Sequence, residues 1–216
     1  MMTKYRVGII GCGRIASTID DEVVNSDHLL PYSHTASYME VEQTFVVAAA
    51  DIDEAKLVAF KERWGTTALY TDYEQMLAKE ALDIVSVTTR TAQRPEIVVK
   101  TAKAGVKAIW AEKPISQSLR EADEMIEACR AAGVKFAINC SRRSHPFPLP
   151  QRIPSKTVVI ARDLVRCISE DKTPHCSGED GRAALEIALA LRESHRRGGV
   201  RVDLPLENRD LKMISS

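Results

Sequence analysis

One short stretch near the amino terminus constrains this chain more than any other: Arg6-Val7-Gly8-Ile9-Ile10-Gly11-Cys12-Gly13-Arg14-Ile15-Ala16. Its apolar run reads as a buried parallel strand, because strands covered on both faces lose the polar alternation of half-exposed ones. The run breaks at Gly11-Cys12-Gly13, and a helix is predicted to open at Arg14. The spacing is Gly-x-Gly-x-x-Ala, the small-residue form of the turn that holds a dinucleotide pyrophosphate. Gly11 permits the tight turn, Gly13 has no Cβ to obstruct a phosphate, and Ala16 lets the helix lie close to the strand. Unpaired amides and a partial positive charge at the helix N-terminus would face the phosphates. Glycine-rich strand-to-helix turns also arise from packing alone, so the surrounding pattern has to decide.

That pattern repeats. Thr44 to Ala50 reads as a second strand, ending at Asp51, where a carboxylate suits a ribose because it accepts both hydroxyls. Asp51 lies 38 residues beyond Gly13, more than the usual roughly 20. The acidic and polar segment Asp20 to Tyr38 accounts for the excess as an inserted loop before a short helical piece. Its His28 and His34 are read as loop-surface residues, since no carboxylate or cysteine stands at metal-ligand spacing. No metal is expected. Asp53 is the better cap for the next helix, whose face is Leu57, Phe60 and Trp64, leaving Asp51 for the ribose. Further strands follow at Ala68–Tyr70, Asp83–Thr88, Lys107–Ala111 and Val134–Ile138. They alternate with helices marked by Asp72, Pro95 and the Ser118/Glu121 capping box. Six strands alternating with helices make an α/β, doubly wound parallel sheet of the Rossmann kind. Gly11, Asp51, Thr88 and Lys113 all fall at strand C-termini, the edge where such sheets bind ligands.

Lys plus Arg equals Asp plus Glu at 30 each, which argues against a nucleic acid or an anionic membrane as partner. No apolar stretch is long enough to span a bilayer, and the first strand follows the N-terminus too closely for a signal peptide. Five scattered cysteines fit a reducing, cytoplasmic setting better than disulfides or zinc. From Ser141 to Pro154 the chain is proline-dense and unsuited to helix or central strand. The expected division is therefore a dinucleotide-binding domain at 1–143, a Pro-rich linker at 144–157 and a helical segment at 158–216. Within the last, a helix is predicted around Val158 to Ile168. A longer one opens at Ser177, with Ala184, Leu185, Ala188, Leu189 and Leu191 as its apolar face, and ends at Gly198-Gly199. Val200 to Leu206 reads as a terminal strand or extended arm.

The chain resembles the glucose–fructose oxidoreductase/inositol dehydrogenase (Gfo/Idh/MocA) family. The resemblance rests on the first glycine turn, Ala50-Asp51-Ile52-Asp53, Glu112-Lys113-Pro114 after the fifth strand, and Ser177 to Arg182 followed by Ala-Leu-Glu-Ile. It implies an NAD(P)-dependent oxidoreductase acting on a sugar, cyclitol or related polyol. Gly11, Cys12, Gly13, Arg14 and Ile15 would hold the pyrophosphate, and Asp51 the adenosine ribose. Thr88 and Thr89 would line the crevice, Glu112 and Lys113 would border the nicotinamide, and Lys113 would be the catalytic residue that relays the substrate hydroxyl proton. NAD is expected over NADP, because Asp51 would repel a 2′-phosphate and no arginine follows to neutralise it. The resemblance also implies a cis Lys113–Pro114 bond and a homo-oligomer.

Two departures stand out. The family places a large antiparallel sheet domain, with an Asp-x-x-x-His pair, between the sixth strand and the C-terminal helices. Here the Pro-rich stretch runs almost directly into those helices, and His145, His175 and His195 do not replace that pair by spacing. Arg94 also stands where many relatives carry a crevice histidine. Lys113 is expected to be exposed and the freed surface apolar. The competing readings are a non-catalytic NAD(H)-binding module and an inactive truncated remnant.

Overall fold

In the computed structural model, residues 3–23, 30–140 and 155–213 are described. His28, His145 and most of the Pro-rich stretch lie outside them. The predicted strands form as β1 (Tyr5–Ile10), β2 (Thr44–Ala50), β3 (Ala68–Tyr70), β4 (Ile84–Val87), β5 (Ala108–Ala111) and β6 (Lys135–Ile138). They make one six-stranded sheet of order β3-β2-β1-β4-β5-β6, every neighbouring pair parallel. The order reverses between β1 and β4, which opens a crevice beyond their C-terminal ends. This is the Rossmann sheet that the strand pattern predicts.

The helices are α1 (His34–Met39), α2 (Glu54–Trp64), α3 (Tyr73–Lys79), α4 (Arg94–Lys103), α5 (Leu119–Ala131), α6 (Lys156–Ser169) and α7 (Gly178–Arg196). Asp53 caps α2 by accepting from the Ala55 amide, and Ser118 with Glu121 closes the capping box of α5. Residues of α3, α4, α5 and α7 share one apolar cluster with one face of the sheet. Residues of α1, α2 and α6 share a second with the other face.

No α-helix opens at Arg14. The Ser17 and Thr18 amides bond back to the Gly13 and Arg14 carbonyls at 3.1 and 2.9 Å, and a 3-10 helix follows at Ile19–Glu22. Its residues are mostly acidic and none is buried, so no apolar face holds a longer helix against the sheet. Asp20 turns the chain instead, its carboxylate accepting from the Tyr32 and Ser33 amides.

The apolar face assigned to α7 also needs correction. Leu185 and Leu189 are buried as expected, but Ala184, Ala188 and Leu191 are exposed, and Ile187 lies on their side. Two glycines set this rotation. A Cβ on Gly178 would meet Phe136 at 2.6 Å, and one on Gly181 would meet Ile138 at 2.7 Å. The side of α7 that carries these glycines is therefore the side laid on β6, and Leu185 and Leu189 continue it at helical spacing. Residues 200–206 form an irregular arm with no strand; Leu206 is buried, its amide donating to Glu186 at 2.9 Å. No helix among the described residues is long and apolar enough to cross a membrane.

Candidate functional site

The predicted binding residues are borne on the C-terminal ends of the strands. Gly11 leaves β1 with φ +92°, a left-handed conformation that side chains resist. A Cβ there would also lie 3.2 Å from the Thr88 and Thr89 backbone. Gly13 differs, since nothing stands within 4 Å of the Cβ it lacks. Among the described residues the Gly13, Arg14 and Ile15 amides donate to no acceptor. Consecutive unpaired amides beside open space can donate to an anion without a long helix.

Cys12 is used differently. Its amide donates to Asp51 Oδ2 at 2.7 Å, and its thiol faces the Ala50 carbonyl. Burial, then the neighbouring Asp51, pushes that thiol up to about 12, so it is a packing group rather than a nucleophile. Asp51 Oδ1 accepts from the Asp53 amide at 3.0 Å, and Lys56 Nζ stands 4.0 Å away. Each carboxylate oxygen keeps a lone pair for a further donor.

At the end of β4, Thr88 Oγ1 donates to the Gly11 carbonyl at 2.5 Å. Thr89 Oγ1 is buried with no hydrogen-bond partner among the described residues. Arg94, at the start of α4, is buried rather than presented to the crevice. Its guanidinium donates to the Thr89 carbonyl at 2.6 Å and to the Pro114 carbonyl, clamping the β4 exit to the β5 exit. Burial pulls this guanidinium down to about 10 against the favourable field of Glu112.

Beyond β5, the Lys113–Pro114 bond is cis, as the resemblance implies. Glu112 is buried and Lys113 exposed. Burial pushes the Glu112 carboxyl up, but His34, Asn139 and the Lys113 amide together outweigh it and hold the group below the ordinary carboxylate value. The Lys113 ammonium donates to no group among the described residues. The unpaired amides, the open face of Gly13 and the unsatisfied Thr89 hydroxyl fit a phosphate-bearing, hydrogen-bonding ligand.

The sequence reading missed the polar cluster beneath Glu112. His34, read as a loop-surface residue, is completely buried. Its Nδ1 lies 3.0 Å from Ser86 Oγ and its Nε2 3.1 Å from Glu112 Oε1. Its ring stacks on Trp110, with centroids 3.7 Å apart. Asn139 donates to the same Glu112 oxygen. The available signal was Ser86, a hydroxyl inside the apolar strand Ile84-Val85-Ser86-Val87, which needs a buried partner. His175 and His195 are exposed, as expected of surface residues.

Residues 5–140 match the family model described as an oxidoreductase family with an NAD-binding Rossmann fold, GFO_IDH_MocA. A D-apiose dehydrogenase from Paraburkholderia graminis is 29% identical over 143 residues, covering 66% of this chain and 34% of that protein. A myo-inositol 2-dehydrogenase from Thermotoga maritima is 29% identical over 138 residues, covering 64% and 36%. The matched segment thus amounts to about a third of each relative's length. The crystal structure of a probable dehydrogenase from Thermotoga maritima superposes with a TM-score of 0.72 at 16% identity, covering 89% of this chain and 97% of that one, a likeness of fold.

Proposed function

This chain belongs to the Gfo/Idh/MocA oxidoreductase family, with its NAD-binding Rossmann fold, and from that premise we propose that it binds NAD(H) and oxidises or reduces a sugar, cyclitol or related polyol. The observation that carries this reading is the run of unpaired amides at Gly13, Arg14 and Ile15 beside open space, with Asp51, Thr89 and Lys113 on the same sheet edge. Those amides would donate to the pyrophosphate, and Asp51 would accept from the adenosine ribose. Thr88 would hold the turn through the Gly11 carbonyl. Glu112 would fix the backbone of Lys113 by accepting its amide at 3.1 Å.

A carbinol that loses hydride must also lose its hydroxyl proton. The Lys113 ammonium would donate to the developing alkoxide, and Nζ would release one proton to solvent as it takes up the proton of the substrate hydroxyl. When bound, the nicotinamide supplies the hydride acceptor or donor. The substrate class follows the relatives named for apiose and inositol. Exposure of Lys113 favours a second reading, a module that binds NAD(H) without turnover.

Calorimetric titration with NADH tests the binding. Saturable binding, tighter for NADH than for NADPH, is expected, because Asp51 would meet the 2′-phosphate of NADPH with like charge. In Asp51→Ala that preference should shrink. No NADH binding overturns the reading, and equal affinity of the unmodified protein for both cofactors overturns the role of Asp51.

A further inference from the structure

His34 touches both halves of the proposed cofactor edge. Its backbone amide donates to the Ile15 carbonyl at 3.1 Å, and the Thr35 amide donates to the Ala16 carbonyl at 3.1 Å. These bonds seat the first turn of α1 on the loop whose amides face the phosphate site. Its side chain reaches the other half through Glu112 Oε1, while Glu112 Oε2 accepts the Lys113 amide. From the phosphate loop to the lysine turn there is a single intervening residue.

Glu112 accepts from the Lys113 amide through Oε2 and from Asn139 through Oε1, and with the carboxylate as acceptor His34 Nε2 is the donor. In the ring with that single proton, Nδ1 accepts from Ser86 Oγ. Tyr38 Oη lies 3.1 Å from Ser86 Oγ, and burial pushes the phenol up, keeping its proton in place as a donor. The chain therefore runs one way, from Tyr38 through Ser86 and His34 to Glu112. The Trp110 indole, stacked at 22°, fixes the plane of the imidazole. A histidine that merely filled the core would need none of these partners aligned with the Lys113 turn.

We propose that His34 is a positioning residue that sets the spacing between the Gly13–Ile15 amides and Lys113, so that a ligand spanning both is held better than one reaching only the first. The proposal rests on the NAD(H)-binding reading. NADH spans both halves, whereas ADP reaches only the adenosine and pyrophosphate groups.

Titrating NADH and ADP separately into the unmodified protein and His34→Phe tests it. Phe keeps a ring against Trp110 but removes both side-chain hydrogen bonds. NADH affinity should fall by about fivefold or more, the scale of an ordinary coupling between sites, with ADP affinity unchanged. An unchanged NADH affinity, or an equal loss for both ligands, overturns the positioning role and leaves the binding reading standing. An unmodified protein that binds neither ligand overturns both. Should His34→Phe fail to fold, His34→Gln serves instead, since its amide can still donate to Glu112. It should keep more than half of the NADH-over-ADP preference, and an equal loss for both ligands overturns the role. Nitrogen chemical shifts of His34 in the unmodified protein read the connection directly: a proton on Nε2 with Nδ1 bare is expected, and a proton on Nδ1 alone overturns it.

Discussion

Individual residues at the crevice divide into those held by the protein and those left for a ligand. The two turn glycines show the difference. Gly11→Ala forces a Cβ against the Thr88 and Thr89 backbone at a positive φ and should cost about 1–3 kcal/mol in denaturant unfolding. Gly13→Ala meets nothing in the chain, so stability should change by no more than about 0.5 kcal/mol. NADH affinity in that variant should fall, because the added methyl would occupy the space proposed for the phosphates. Stability and binding losses that track each other across the two variants would contradict the assignment. Glu112 adds a dependence on pH. Its carboxyl titrates below the ordinary 4.5 when folded, so its contribution is complete above that value and is lost as pH falls through the folded value. Melting temperatures of the unmodified protein and Glu112→Gln should therefore differ at neutral pH and converge as the pH is taken progressively below the ordinary 4.5. A gap independent of pH would mean that the ionised carboxylate contributes nothing.

The same contrast between position and residue type governs the elements. Helix α7 carries leucines on two sides, but only one side meets β6 and α5. Leu189→Ala should cost about 2–5 kcal/mol, since it empties a buried site. Leu191→Ala, on a residue 69% exposed, should stay within about 0.5 kcal/mol. Urea midpoints of the two variants would measure this, and equal losses would mean that α7 is rotated from its described position. The α6 helix has no such ambiguity. Val158, Ile160, Ala161, Leu164 and Val165 are all buried on one side, and Thr157 bonds to the Pro31 carbonyl at 2.7 Å, tying α6 to the segment that leads into α1.

On the scale of the whole molecule, one parallel sheet lies between two helical layers, and the described residues put no cover over Lys113. Water screens an exposed ammonium, so its effect on a developing alkoxide is weak. A substrate would also lack the fixed orientation that can lower a barrier by roughly 7–11 kcal/mol. Oxidation of polyols, followed by NADH absorbance, should accordingly run below about 1 per second, the lower end of ordinary turnover. A rate well within the ordinary range would show that Lys113 is enclosed in the working protein.

Local signals were sufficient for the parallel sheet, the turn glycines, the caps at Asp53 and Ser118, and the placement of Asp51, Thr88 and Lys113 on one edge. Strand runs, capping side chains and glycine spacings each act over a few residues, so they can be read without knowing what lies opposite. The first helix failed because the residues that would extend it, Ile19–Glu22, bury nothing, and Asp20 instead accepts from the distant Ser33 amide. The face of α7 was decided by where Phe136 and Ile138 admit a glycine and nothing larger. His34 was the deepest miss. A histidine at the start of a six-residue helix gives no local sign of burial. Its place was set by Ser86, Trp110 and Glu112 arriving from β4, β5 and the turn beyond β5, a convergence that exists only once the sheet has brought those strands side by side.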